Sequence, residues 1–294
     1  MTISSVCLQR LKDTLIGLFA VMLLLVPCAA EGGGLTVEPG GLLLQNVPLS
    51  TVYDLYKETG IAIKILNGLD RQVTYRITAR KPSHRGSEKW MEGYQEIPES
   101  SYLFFDRNNI VIEAQGAEEF KLFLKIPDDP RYYNQHWAVT VAVEGQPSPG
   151  EVFALAAYLP FEIETESRNS VGEKPWGKLG IEPSSLTLNT AGKEKIRIYN
   201  NEGKKQKYQL GIGIPGKTTS MRQIGLTRGY RDIPDVKWIG ISHDELAVKQ
   251  DGVREVSLTA RLPDKPAEAG PWETFLWIES DSGEKAFVRI DIEQ

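Results

Sequence analysis

The chain has 294 residues, 25% of them charged and 41% hydrophobic, and a formal charge of −5 at pH 7. Its 34 basic and 39 acidic residues are mixed along the chain, which excludes a nucleic-acid surface or an anionic-membrane surface built on bulk charge. Both cysteines, Cys7 and Cys28, fall in the first thirty residues, so the remainder has no disulfide, thiolate ligand or cysteine nucleophile and must fold on apolar burial alone.

Residues 1–30 read as a secretory signal. Arg10 and Lys12 precede the apolar run "LIGLFAVMLLLV", and Cys28 and Ala30 are the small residues at −3 and −1 of a cut before Glu31. The run is short for a membrane span, so the sequence predicts an exported chain, periplasmic or at the cell surface, with no membrane insertion after cleavage. An uncleaved anchor is the alternative.

Residues 31–165 form the first predicted domain. The segments "IAIKI" (Ile61–Ile65), "TYRIT" (Thr74–Thr78), "NIVIEA" (Asn109–Ala114) and "FKLFLKI" (Phe120–Ile126) alternate apolar and other residues with period two. Turn signals such as "NGLD", "EAQGAEE" and "IPDDP" separate them. Residues 166–178, "ESRNSVGEKPWGK", are polar with Gly and Pro and read as a linker. In residues 179–294 the pattern returns with "KIRIY", "YQLGIGI", "ELAVK" and "VSLTARL".

The two domains are one unit written twice. "GYQEIPESSYLFF" from Gly93 returns 136 positions later as "GYRDIPDVKWIGI" from Gly229. The ungapped match carries Ile97-Pro98 onto Ile233-Pro234, Leu122 onto Leu258 and Pro127-Asp128 onto Pro263-Asp264. Upstream, "LTVEPGGLLL" parallels "LGIEPSSLTL"; Asn67 and Asn200 each end a strand and each precede a tyrosine by eight residues, Tyr75 and Tyr208. Downstream, Trp137 pairs with Trp272. Two all-β, immunoglobulin-like sandwiches in tandem, of about seven strands each and related by internal duplication, follow from this pattern. In the repeated motif Gly supplies backbone freedom, Pro fixes φ at a corner between sheets, and Tyr caps the core edge with its hydroxyl in water.

The early "V-E-P-x-x-L-x-L" strand, the strand ending in Asn and the Tyr eight residues on resemble the broad PapD-like immunoglobulin superfamily, which includes pilus chaperones and other bacterial envelope modules. The resemblance implies binding of other proteins, often through sheet edges, and no catalysis.

"GIGIPGKT" (Gly211–Thr218) satisfies the phosphate-loop expression, with Lys217 and Thr218 as the phosphate and magnesium contacts. The glycines at 225 and 229 interrupt the helix such a loop needs, so a strand running into a Pro-Gly turn is expected and no cofactor is assigned. His84, His136 and His243 share no metal-ligand spacing and read as turn or surface residues. Acidic turns such as "IPDDP" lack a calcium-loop spacing, and no metal is assigned.

"VFALAAYLPFEIE" (Val152–Glu164) is apolar on both faces, as expected either of a buried strand at the domain junction or of a strand that receives a partner's strand. In pilus chaperones the corresponding strand donates apolar side chains to a subunit, whose carboxylate is held by basic residues. Neither "LTVEPGGLLL" nor "VFALAAYLPFEIE" contains Arg or Lys. The function expected is that of an exported, non-enzymatic interaction or structural module binding another envelope or extracellular protein. The alternatives are a pilus-chaperone-like protein using residues 152–164 and a nucleotide-binding enzyme using residues 211–218. On the first of these readings Trp137, Phe153 and Tyr158 are the partner anchors.

Overall fold

The computed structural model describes residues 34–85, 91–147, 149–150, 153–189, 192–213, 224–262 and 271–293. Residues 1–33, the short stretches between these ranges and most of Gly211–Thr218 lie outside them, and of that motif only Gly211 to Gly213 is described.

The first domain runs through β1 (Leu35–Glu38), β2 (Leu42–Val47), β3 (Tyr53–Asp54), the single-turn helix α1 (Leu55–Thr59), β4 (Ile63–Asn67) and β5 (Val73–Arg80). It continues with β6 (Gln95–Glu96), β7 (Leu103–Phe105), β8 (Asn109–Ile112), β9 (Ala117–Phe120), β10 (Leu122–Leu124), β11 (His136–Gly145) and β12 (Ala156–Thr165). Its larger sheet has the order β2-β12-β11-β5-β8, with β6 lying parallel to β11. Two three-stranded sheets, β1-β4-β9 and β3-β10-β7, make the opposing layer. The expected strand Phe120–Ile126 is broken between Phe120 and Leu122, because the chain passes there from one of these small sheets to the other. Period-two alternation puts Ile63, Ile65, Tyr75 and Ile77 in one apolar core with Val139, Val141 and Phe161.

The second domain repeats the plan with β13 (Leu179–Glu182), β14 (Ser185–Asn189), β15 (Lys193–Asn200), β16 (Gln206–Ile212), β17 (Arg231–Asp232), β18 (Ile239–Ile241), β19 (Glu245–Val248), β20 (Val253–Ala260), β21 (Trp272–Ser280) and β22 (Lys285–Glu293). A β13-β15-β20-β18 sheet faces a β14-β22-β21-β16-β19 sheet. The protein is therefore an all-β pair of immunoglobulin-like sandwiches related by duplication.

The repeated motifs occupy matching places. The Glu-Pro bonds at Pro39 and Pro183 are cis, and each lies where the first strand leaves one sheet and re-enters as a parallel partner of the last strand of the other. The Asn67 amide donates to the carbonyls of Arg71, Ile112 and Glu113. Asn200 does the same to Lys204, Val248 and Lys249. Each asparagine thus satisfies carbonyls at the end of a neighbouring strand that would otherwise be orphaned. The Gly-Tyr-acid-Ile-Pro motif ends with Ile97 or Ile233 in its core and leads into a 3-10 turn, Ser100–Tyr102 or Val236–Trp238. At that corner the chain crosses to the opposite sheet.

Residues 166–178 carry no strand but are tied to both domains. Asn134 donates to the Arg168 carbonyl, Trp176 packs on the first core, and Asn201 donates to the Pro175 and Gly177 carbonyls.

Candidate interaction surface

β12 is only half covered. Along its whole length it pairs antiparallel with β11, from Glu144 opposite Ala156 to His136 opposite Glu164. On its other side β2 pairs in parallel only from Phe161 onward. Among the described residues no strand forms a ladder with β12 on that side before Phe161. The Gly145 amide donates to the Leu155 carbonyl, so antiparallel alternation turns the backbone groups of Ala156, Tyr158 and Pro160 toward the open edge. Pro160 lacks an N–H and fits an outward position, where no ladder donor is required of it.

The apolar stripe of β12 outruns its core. Leu159, Phe161 and Ile163 are buried, whereas Phe153 is 87% exposed and Leu155 42% exposed just before the strand. The apolar alternation from Phe153 to Ile163 is buried only in its second half. Tyr158 is half-buried on the opposite face, where its hydroxyl donates to Glu144 at 3.1 Å and Glu144 also takes Arg80 at 2.5 Å. Trp137 must be reassigned. It is 0% exposed, edge-on to Tyr132 at 5.2 Å and to Trp176 at 6.2 Å, and so belongs to the core and is out of a partner's reach.

The two domains meet more closely than a polar linker suggests. Met91, Tyr94 and Ala138 of the first domain bury with Ile224, Phe275 and Phe287 of the second. Gly93 allows this approach, since a Cβ there would lie 2.7 Å from the Phe287 ring and 3.0 Å from Trp277. Tyr94, expected to keep its hydroxyl in water, is buried and donates to Glu164 at 2.6 Å. Arg289 of β22 grips the same carboxylate with two bonds and donates to Glu273 at 3.0 Å. Thr227 closes the cluster by bonding Glu273 through its amide and hydroxyl at 2.7 and 2.6 Å. Burial raises the Glu164 carboxyl, but the hydrogen bonds and charge of Arg289 outweigh it and hold the group below its ordinary range.

His136, expected at a turn or surface, is instead buried at this joint. The lone Arg289 in the apolar run "FVRIDI" and the alternating acids of "FEIE" were the available signals, because an ionised side chain inside a strand must find a charged partner.

No family model and no curated protein matches this sequence. Among solved structures it is similar to a protein of unknown function from Porphyromonas gingivalis W83, at 12% identity and a TM-score of 0.35, over 89% of this chain and 100% of that one. It is also similar to the Salmonella enterica SafA pilin in complex with the SafB chaperone, at 11% identity and a TM-score of 0.30, over 87% and 95% of the chains. A third similarity is to the E. coli chaperone DraB, at 11% identity and a TM-score of 0.32, over 89% and 97%.

Proposed function

We propose that this chain is an exported, non-enzymatic protein-interaction module of the cell envelope, and that it receives an extended segment of another envelope or extracellular protein along the open edge of β12. The observation that carries the proposal is the strand's uncovered half. The strand edge before Phe161, along which no described strand runs, offers strand addition, and Phe153 and Leu155 offer apolar surface beside it.

The duplication adds support. Cross-strand register equates Tyr158 with Phe287, since Trp137 lies opposite Ile163 as Trp272 lies opposite Ile292. Phe287 is buried by the first domain, while the matching surface around Tyr158 has no domain over it among the described residues. One copy of the module thus already uses this sheet face for protein contact.

A narrower version is a pilus-chaperone-like protein that presents residues 153–159 to a subunit. The alternation Phe153, Leu155, Ala157, Leu159 favours it. The lack of Arg and Lys on β1, β2 and β12 argues against capture of a terminal carboxylate by these strands.

The test is a pull-down from envelope extract with immobilised wild type and with the double variant Phe153→Asp, Leu155→Asp. Both side chains are exposed, so the variant is expected to melt as the wild type does and to lose the captured protein. Equal capture by both would contradict the proposal. Competition by a peptide of the captured partner, with a free or an amidated C-terminus, then separates the versions: equal competition fits the general module, and dependence on the free carboxylate fits the chaperone-like protein.

A further inference from the structure

His136 begins β11 on the outer face of the first domain's larger sheet. Its ring lies flat on Phe287 of the second domain, with centroids 3.8 Å apart and planes within 3°. Tyr94 closes over both rings at 5.7 and 5.4 Å, and His136 is left 6% exposed. Because Phe287 belongs to the other domain, the imidazole stays dry only while the two domains are together.

The charged groups around it are few and mostly committed. Glu164, opposite His136 on β12, is held by Arg289 and by the Tyr94 hydroxyl. Glu162 is buried on the same face of β12. Arg289 lies over the Phe275 and Phe287 rings at 5.0 and 5.8 Å. Beyond Arg289 stand Glu273 on β21 and, opposite it on β22, Asp291.

We propose that this joint is a proton-sensitive latch, in which protonation of His136 separates the two domains while each keeps its own fold. An imidazolium in this position would lose its water, and Arg289 would repel it. Burial lowers His136 to about 4; Glu164 works in the opposite direction, and Arg289 lowers it further. Once the domains part, the ring regains water and an ordinary value of about 6.5.

The sign follows directly. The separated form binds the proton more tightly, so each fall in pH between those two values favours separation. Across the whole window the ratio of closed to separated protein falls by up to roughly 10²-fold. Glu164, held low only while Arg289 reaches it, pulls in the same direction in stronger acid. Asp291 pulls the other way, since burial and the neighbouring Glu273 raise it to about 6. Asp291 lines a cavity with Gln45, Asn46 and Glu164 of the first domain, so part of its burial is lost on separation and its pull offsets part of the His136 effect. Replacing His136 alone isolates the share of the imidazole.

Small-angle scattering of the full chain from about pH 7.5 to about pH 4.5, with far-ultraviolet circular dichroism in parallel, tests the latch. The expected result is a reversible rise in radius of gyration as the pH falls, with an unchanged β signal. His136→Phe, which keeps the stack on Phe287 and cannot take a proton, is expected to stay compact over the same range. A wild type that stays compact throughout, a His136→Phe profile that matches the wild type, or an expansion accompanied by loss of the β signal would each overturn the proposal.

Discussion

Arg289 and Glu164 form a two-pronged ion pair across the domain boundary, with Nη2 to Oε1 at 2.5 Å and Nε to Oε2 at 2.8 Å. Both side chains are buried, at 4% and 8% exposure. The pair joins the last strand of one sandwich to the last strand of the other. Removing one partner leaves a charge in a dry site that still holds Glu273. Glu164→Ala is expected to cost about 3 kcal/mol in urea unfolding and to split a single transition into two, one per domain. An unchanged single transition would show that the pair does not couple the domains.

The duplicated glycines should respond unequally to the same change. Gly93 and Gly229 both have positive φ, at 83° and 94°. A Cβ on Gly229 meets nothing within 4 Å, whereas one on Gly93 strikes the Phe287 ring. Gly229→Ala is expected to cost about 1 kcal/mol of backbone strain alone. Gly93→Ala should cost at least about twice that, because the domains must also shift. Thermal melts of the two variants compare them directly.

The paired tyrosines give a second internal control. Tyr75 donates to Asn67 Oδ1 at 3.1 Å, but the buried Tyr208 hydroxyl finds no partner among the described residues. Tyr75→Phe is expected to lose about 1 kcal/mol, and Tyr208→Phe to be neutral or stabilising. Equal losses in chemical denaturation would contradict the assignment.

Asp291 makes a pH prediction of its own. Its folded value, raised to about 6 by burial and then by Glu273, means that the folded chain holds this proton more tightly than the unfolded chain. Its contribution is therefore intact in acid and is lost as the pH rises from about 3.8 to about 6. Asp291→Asn is expected to gain about 1 kcal/mol at pH 7, allowing for partial solvent screening, and nothing near pH 4. Unfolding curves at the two pH values measure the difference.

Much of the architecture was readable because it is written locally. Period-two alternation marks Ile63–Asn67 and Val73–Arg80, and the repeated Asn and Ile-Pro positions mark turns that each domain makes for itself. The joint was not readable, because its partners lie far apart in the chain: Glu164 and Arg289 are 125 positions apart. The duplication even misled, since Tyr94 and Tyr230 share a motif but only Tyr94 is covered by the other domain. Trp137 reads as an anchor in the sequence because an aromatic residue at a strand start looks alike whether it faces the core or the surface. Phe153 and Leu155 could be read as apolar, but β2 begins to pair only at Phe161, which no local pattern announces.

On the proposed function, the open backbone edge of β12 receives a partner. Ala156→Pro tests it most directly, because it deletes one outward-facing N–H and leaves Phe153, Leu155 and Tyr158 unchanged. Proline is tolerated at such edge positions, so the melting behaviour should stay within about 1 kcal/mol of the wild type. Affinity for the partner isolated on the wild-type chain, measured by titration calorimetry, is expected to fall at least about tenfold through the lost strand hydrogen bond and the disturbed register. Wild-type affinity in a normally folded Ala156→Pro variant would contradict the account and leave β12 as a strand that only closes its own sheet.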